Sequence, residues 1–403
     1  MEGQAVKAGF DFLGIYGFFD GLMPESLDWL AFLVAGFILA FAIINALVVS
    51  TAVYTWFERR ALGKFQSRLG PNRWGPFGLL QPIADVVKFM SKEDTVPDGA
   101  DRQVFTLAPI VFVATGFLVF ALIPLGSNDW LSRLNIGLVF IIAVTSVNTL
   151  AIFMAGWSSR NKYAMFGAMR GVAMLISYEV PMALAIAAVA LASQSLSTYT
   201  VVTNQEVPFM LVMPLAFFIF VAAASAEMSR TPFDLIESES ELGSGYHTEY
   251  SGMKFALFQL AEFMAPIIVS CIVATLFLSG WRGWGPIPGQ VWFILKALVV
   301  LCALLWFRAT WPRLRVDQIM EFAWKGLFPL SLLNLFAVAT EIQLLRDPVT
   351  GALTDSDMWA MAAINWAITG IVFLAVSRMF ARKQLQRPLP KPSPLANMGA
   401  EAE

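Results

Sequence analysis

The sequence predicts an all-α polytopic integral membrane protein of about nine transmembrane helices, with amphipathic and loop helices on the cytoplasmic side. Three observations predict it. Hydrophobic residues make up 58% of the 403 and charged residues 14%, with a mean hydropathy of +0.67, whereas charged residues alone reach about a quarter of a soluble domain. Nine apolar runs are each long enough to cross ~30 Å of hydrocarbon. Of the 27 Lys and Arg residues, all but Lys7, Arg133, Arg282, Lys296 and Arg346 fall in alternate connections or in the tail. By the positive-inside rule those connections and the C-terminus are cytoplasmic and the N-terminus is outside. The net charge of -2 carries no signal for nucleic acid.

The predicted spans are 29–54, 104–124, 136–157, 171–192, 208–226, 255–278, 291–307, 327–345 and 358–377. Residues 1–28 form a leader whose acidic, non-basic character does not suit a cleavable signal. Residues 29–345 hold eight spans as one membrane domain with cytoplasmic loops at 57–103, 158–170, 227–254 and 308–326. An additional ninth helix falls in 346–380, and 381–403 is a Pro-rich tail expected to be disordered. Lys296, near the outer end of its span, is placed to snorkel.

The first cytoplasmic loop is long and mixes arginines with Gly-Pro turn signals. Over residues 81–93, Pro82, Ile83, Val86, Val87 and Met90 fall on one side and Asp85, Lys88 and Lys92 on the other, the pattern of a helix lying at the membrane surface. Such a helix serves either as an anchor or as a wall at the mouth of a cavity for a lipid-like substrate. The seventh loop carries Arg308, Arg313 and Arg315, which read as topology signal and phospholipid contact.

Between the fifth and sixth spans the chain concentrates acid: Glu227, Asp234, Glu237, Glu239, Glu241, Glu249 and Glu262, against Arg230 and Lys254. Thr231-Pro232-Phe233-Asp234 reads as a helix start, with Thr at the N-cap and Pro at the first helical position. In that helix Asp234, Glu237 and Glu241 share one narrow arc and Glu239 faces away. Carboxylates that close raise at least one pKa, which suits groups that hold and release protons. Glu179 lies about 12 Å inside the fourth span at 1.5 Å per residue, and Glu262 sits at matching depth in the sixth. Because an ionised carboxylate there costs roughly 2.5 kcal/mol or more, the two, with Glu227 and the Asp234 segment, read as one wet acidic path opening inward. Pro181 in the fourth span frees the Ser177 carbonyl for a water.

Cys271 and Cys302 both lie in apolar runs and His247 is the sole histidine. These exclude an iron-sulfur cluster, a bis-His haem or a structural zinc built from this chain alone. An electron carrier therefore sits on a partner, and no metal site is expected here.

Four stretches carry a resemblance: ERRALGKFQSRLGPNRWGPFGLLQPIAD, GWSSRNKYAMFGAMRGVAMLISYEVP, AEMSRTPFDLIESESEL with GYHTEYSGMKFALFQLAE, and WPRLRVDQIMEFAWK. In them the chain resembles the H subunit of respiratory complex I, the proton-translocating NADH-quinone oxidoreductase. The resemblance implies a bacterial inner-membrane protein without a redox centre, whose substrate is a quinone, ubiquinone or menaquinone. Its implied partners are the peripheral-arm quinone-site and iron-sulfur subunits, the small membrane subunits leading to antiporter-like subunits, and lipid. It places Glu58, Arg59, Arg68 and Asp85 at the quinone entrance, and Glu179, Glu227, Asp234, Glu237, Glu239, Glu241, Glu249 and Glu262 on an acidic proton relay. Gly243-Ser244 depart from the family pattern, and the ninth span and tail have no role assigned by it. Two other readings stand beside this one: the equivalent subunit of a membrane-bound hydrogenase-type complex, and a self-standing proton or cation channel.

Overall fold

The computed structural model describes residues 28–126, 133–236, 243–283, 285–345 and 355–385, and every regular element among them is helical. Residues 1–27 of the predicted leader, 386–403 of the predicted tail and the acidic run 237–242 lie outside the described residues; the first five residues of the tail are not disordered but continue the last helix to Leu385. In chain order the helices are α1 (Asp28–Phe65), α2 (Gln81–Ser91), α3 (Arg102–Ala121), α4 (Gly137–Ser158) and α5 (Lys162–Ser193). Next come α6 (Thr198–Thr203), α7 (Phe209–Val212), α8 (Pro214–Glu227) and α9 (Gly252–Phe277). The last are α10 (Gly289–Thr310), α11 (Val316–Glu321), α12 (Phe328–Leu345) and α13 (Asp355–Leu385), with one π turn (Phe322–Leu327) joining α11 to α12. Among the described residues eight helices are long and apolar enough to cross a membrane, and α8 is a shorter apolar helix. The chain is an integral membrane protein.

The helices overrun the hydrophobic spans. α1 continues to Phe65, α5 starts at Lys162 and α10 reaches Thr310, so the predicted loops 57–103, 158–170 and 308–326 are partly helical. Hydropathy marks only the part of a helix that crosses hydrocarbon; Arg, Ala, Leu and Lys then propagate it into the interface.

The fifth span, predicted as one run over 208–226, is broken. Met213, at φ -131° and ψ 68°, separates α7 from α8, because Pro214 has no N–H to donate and disfavours helical geometry in the residue before it. The Leu211 carbonyl accepts instead from Trp366 Nε1 of α13 at 3.1 Å, which ties the ninth helix to the break.

The helix start at Thr231 is not formed: residues 231–236 are a run of turns. Tertiary contacts override the capping signal. The Pro232 carbonyl accepts from Leu314 N at 3.1 Å, Phe233 packs edge-on against Tyr178 with ring centroids at 5.2 Å and stacks on Phe322 at 6.5 Å, and Leu235 and Ile236 are buried. Past the acidic run, Gly243 and Ser244 take φ +65° and +97°. That left-handed turn is natural for the glycine, and it leads into the 3-10 turn Gly245–His247.

α5 is the central post, packing on α4, α8 and α12 and against the Gly245–His247 turn. Small residues let it do so, as is usual where lipid removes the hydrophobic drive for helix association. A Cβ on Gly167 would meet Gly245 Cα at 2.7 Å, and one on Gly156 of α4 would meet Ala168 Cβ at 2.3 Å. The Lys296 ammonium donates to the carbonyls of Leu278, Gly280 and Arg282, closing the end of α9.

Because the atoms facing Gly167 are backbone, Gly167→Val should destabilise the protein by about 1–3 kcal/mol. Thermal unfolding of the detergent-solubilised protein measures it. Gly99→Ala, with nothing within 4 Å of its Cβ, should leave the transition unchanged; equal behaviour of the two would show that the α5 approach is not tight.

Candidate functional site

Successive helical residues are turned by about 100°, and at the end of α1 this sends two neighbours in different directions. Arg59 stays at the surface, where its Nη1 donates to Asp85 Oδ2 at 2.6 Å; Lys88 Nζ stands 3.5 Å from Asp85 Oδ1 and Gln81 Nε2 3.3 Å. Partial burial raises the Asp85 carboxyl, and the Arg59 hydrogen bond and charge, aided by Gln81 and Lys88, outweigh it and hold the group below the usual carboxylate range. The loop before α2 is fastened to α1: Arg60 Nη1 and Trp56 Nε1 both donate to the Phe77 carbonyl, at 2.9 and 3.0 Å. α2 forms where predicted, and its Ile83, Val86, Val87 and Met90 are all exposed. Arg68 is also exposed, with Nε donating to Gln66 Oε1 at 2.7 Å; among the described residues it makes no bond to Glu58, Arg59 or Asp85.

Glu58 turns inward and is 2% exposed. Its Oε1 meets two guanidinium groups, Arg308 Nη1 of α10 and Arg230 Nη1, the latter at 3.3 Å. Arg230, in the turn after α8, also pairs through Nε with Glu262 Oε1 of α9 at 2.9 Å, and its guanidinium lies 4.6 Å over the Phe263 ring. Two acids and two bases thus form one buried cluster, with Tyr54 of α1 a turn away from Glu58 and 5% exposed. Removing one partner from a buried pair typically costs about 3–5 kcal/mol, because the other charge is left uncompensated.

Glu262 also faces an internal cavity of about 980 Å3, open mouth included, that Glu227, Asn148, Thr145, Thr115 and Tyr246 line with many apolar side chains. Glu179 of α5 accepts a hydrogen bond from Ser146 Oγ of α4 and interacts electrostatically with Glu227. The structure therefore brings Glu262, Glu227 and Glu179 to one region and joins them, through Arg230, to Glu58.

Other predicted residues are placed differently. Glu249 Oε1 accepts from Asn161 Nδ2 at 2.6 Å, and the Asn161 side chain caps α5 by accepting from Tyr163 N at 2.9 Å, so Glu249 sits at the start of α5. Asp234 is half-buried in the turns after Arg230. Glu237, Glu239 and Glu241 lie outside the described residues. Near Pro181, Trp324 Nε1 donates to Ser177 Oγ at 3.1 Å and Tyr178 OH to the Ile319 carbonyl at 2.9 Å, which docks the α11 segment on α5.

Arg230, Arg308, Asn148 and Ser146 were not foreseen as site residues. The signal for Arg230 was its position as one of two bases among seven acids; Arg308, at a helix end, looks the same whether it faces phosphate or Glu58.

His247 lies in an aromatic pocket, edge-on to Tyr246 at 4.9 Å and to Phe255 at 5.3 Å. Burial pushes the imidazole down to about 4, against a smaller upward pull from Glu262. Since the folded value is depressed below the ordinary 6.5, the unfolded chain takes up the proton first as pH falls. The stability tied to neutral His247 is full above pH 6.5 and is lost progressively toward about pH 4. His247→Phe should flatten the pH dependence of thermal unfolding in that window; an unaltered slope would show that other groups set it.

Residues 38–339 match the NADH dehydrogenase family. The chain is 51% identical over 334 residues to the NADH-quinone oxidoreductase H subunit of Dehalococcoides mccartyi (strain CBDB1), covering 83% of this chain and 92% of the relative. Against the NADH-quinone oxidoreductase H subunit 2 of Syntrophobacter fumaroxidans (strain DSM 10017 / MPOB) it is 47% identical over 323 residues, 77% of this chain and 96% of the relative. The corresponding H subunit of Geobacillus kaustophilus (strain HTA426) is 46% identical over 306 residues, 74% and 91% of the two chains. With eight membrane-length helices and this match over most of its length, the chain belongs to the H-subunit family of NADH-quinone oxidoreductase, respiratory complex I.

Proposed function

We propose that the chain completes the quinone-binding tunnel of a bacterial complex I where the membrane domain meets the peripheral arm, and couples quinone reduction to proton translocation through its buried carboxylates. The observation that carries this reading is Arg230, whose one guanidinium contacts Glu58 at 3.3 Å and Glu262 at 2.9 Å. Glu58 adjoins the Arg59–Asp85 surface pair in sequence, and Glu262 faces the cavity shared with Glu227. Residues 29–345 are the core of this unit, 346–380 an added helix. The cytoplasmic ends carry the loops that receive the quinone-site and iron-sulfur subunits, and the acidic path leads toward the small membrane subunits and the antiporter-like ones.

At the surface, the exposed apolar side of α2 gives an isoprenoid tail a place to lie, and Arg59–Asp85 marks the polar threshold for the head group. Reduction changes charge at the head, and the nearest fixed charges respond first. Because Glu58 shares Arg308 and Arg230, and Arg230 also holds Glu262, a shift of charge at Glu58 alters how strongly Arg230 stabilises the Glu262 carboxylate. Glu262, Glu227 and Glu179 then take or release protons in turn, each sensing its neighbour's charge in a low-dielectric interior. The N-terminus is outside and the loops at 57–103, 158–170, 227–254 and 308–326 are cytoplasmic, by the distribution of basic residues.

Arg59→Ala and Asp85→Asn should lower quinone reduction several-fold while NADH oxidation by a hydrophilic artificial acceptor stays intact; parallel loss with both acceptors would point to failed assembly and remove the entrance role. Glu179→Gln and Glu262→Gln should leave the complex assembled while quinone turnover and proton uptake in proteoliposomes fall together, by roughly tenfold or more for an ~1.4 kcal/mol or greater barrier. Near-normal pumping in both variants would sink the coupling reading.

A further inference from the structure

The eighth span carries an acid of its own that the acidic path does not use. Ser331, Asn334, Val338 and Glu341 are the buried residues of α12, and their spacing puts them on one stripe. Three are polar: Ser331 and Asn334 are 1% exposed and Glu341 5%. Ser331 Oγ donates to the Phe328 carbonyl at 2.7 Å. Glu341 Oε2 accepts from Asn365 Nδ2 of α13 at 2.7 Å, and the same amide reaches the Met361 carbonyl at 3.1 Å. What remains is unusual: Glu341 Oε1 and both amide atoms of Asn334 are enclosed without a hydrogen-bond partner among the described residues. Buried polar atoms are rarely left so, and these three lie on one helix face, with the two residues about 10 Å apart along the axis. One donor and two acceptors left over on that stripe are the kind of partners ordered water takes, two to four per molecule.

The site lies at the end of the bundle away from Glu179 and Glu227. Tyr178, next to Glu179, is level with Ile319 at the start of α11, and Glu341 is roughly 30 Å further along that continuous helix at about 1.5 Å per residue. On α8's side, Trp366, the neighbour of Asn365, bonds Leu211 beyond the break, and α8 itself puts about 20 Å between the break and Glu227 at the same rise.

We propose that Glu341, Asn334 and Asn365 form a second, hydrated proton-binding site between the eighth and ninth spans, at the opposite end of the bundle from the acidic path. Asn365 holds Oε2 as an acceptor, so Oε1 is the atom that carries the proton. On release, the Oε1–H bond breaks as an O–H bond forms on a water held by the Asn334 amide, and the carboxylate left behind keeps its Asn365 bond. The ninth helix thereby acquires a purpose, since it supplies Asn365 and is fixed in register by Trp366.

Its use during turnover rests on the proton-coupling reading, and the experiment separates the two. In the assembled complex in proteoliposomes, the infrared difference spectrum between oxidised and quinol-reduced states is recorded in H2O and D2O for the wild type, Glu341→Gln, Asn334→Leu and Glu179→Gln. The expected result is an isotope-sensitive protonated-carboxyl band that Glu341→Gln deletes, Asn334→Leu shifts and Glu179→Gln retains. An identical band set in wild type and Glu341→Gln overturns the site. Should Glu341→Gln fail to assemble, Asn334→Leu decides, since it leaves the Glu341–Asn365 bond in place: an unshifted spectrum overturns the proposal. Normal pumping in Glu179→Gln together with loss of the Glu341 band sinks the coupling reading alone and leaves this site standing.

Discussion

The buried charges where α1, α9 and α10 meet depend on one guanidinium being neutralised twice. Arg230, buried in the turn after α8, is shared between Glu58 of α1 and Glu262 of α9, while Arg308 of α10 meets the same Glu58 oxygen, Oε1. Each ion would be intolerable there alone. Together they impose a geometry, because three helices and one turn must converge before the charges cancel. A cluster balanced this closely also transmits: changing the charge on any member alters the field at the others far more than in water.

The acids of the chain are of different kinds despite their similar appearance in sequence. Asp85 is half in water and serves a surface pair; Glu249 bonds the residue that caps α5; Glu262 and Glu227 look into a cavity; Glu341 is sealed between two helices. Composition counts them alike. What separates them is the dielectric and the partner each one finds.

Much of the fold was legible because a bilayer is an exacting solvent. Spans of apolar residues must be helices, and the surface helix α2 declared itself by its period. Local signals failed where tertiary contacts were stronger. The Thr-Pro-Phe-Asp capping pattern gave way to Phe233 packing on Tyr178 and Phe322, and Pro214 passed unnoticed inside an apolar run although it breaks the fifth span. At the site, Glu179, Glu227 and Glu262 stood out because a carboxylate beside hydrocarbon has few innocent explanations. Arg230 and Arg308 did not, since a basic residue at a helix end is normal at any membrane surface. Asn365 had no signal at all: an amide in a span becomes meaningful only when its partner across the helix pair is known.

The span of the cluster along the chain bears on how the protein is made. Glu58 and Arg230, the first made of the two arginines that compensate it, are 172 residues apart, and helices enter a bilayer one after another as the ribosome delivers them. During synthesis the first helix is therefore present before either of the arginines that neutralise Glu58. The native neutralisation of a charge on the earliest helix can thus be completed only after Arg230 and Arg308 have been made.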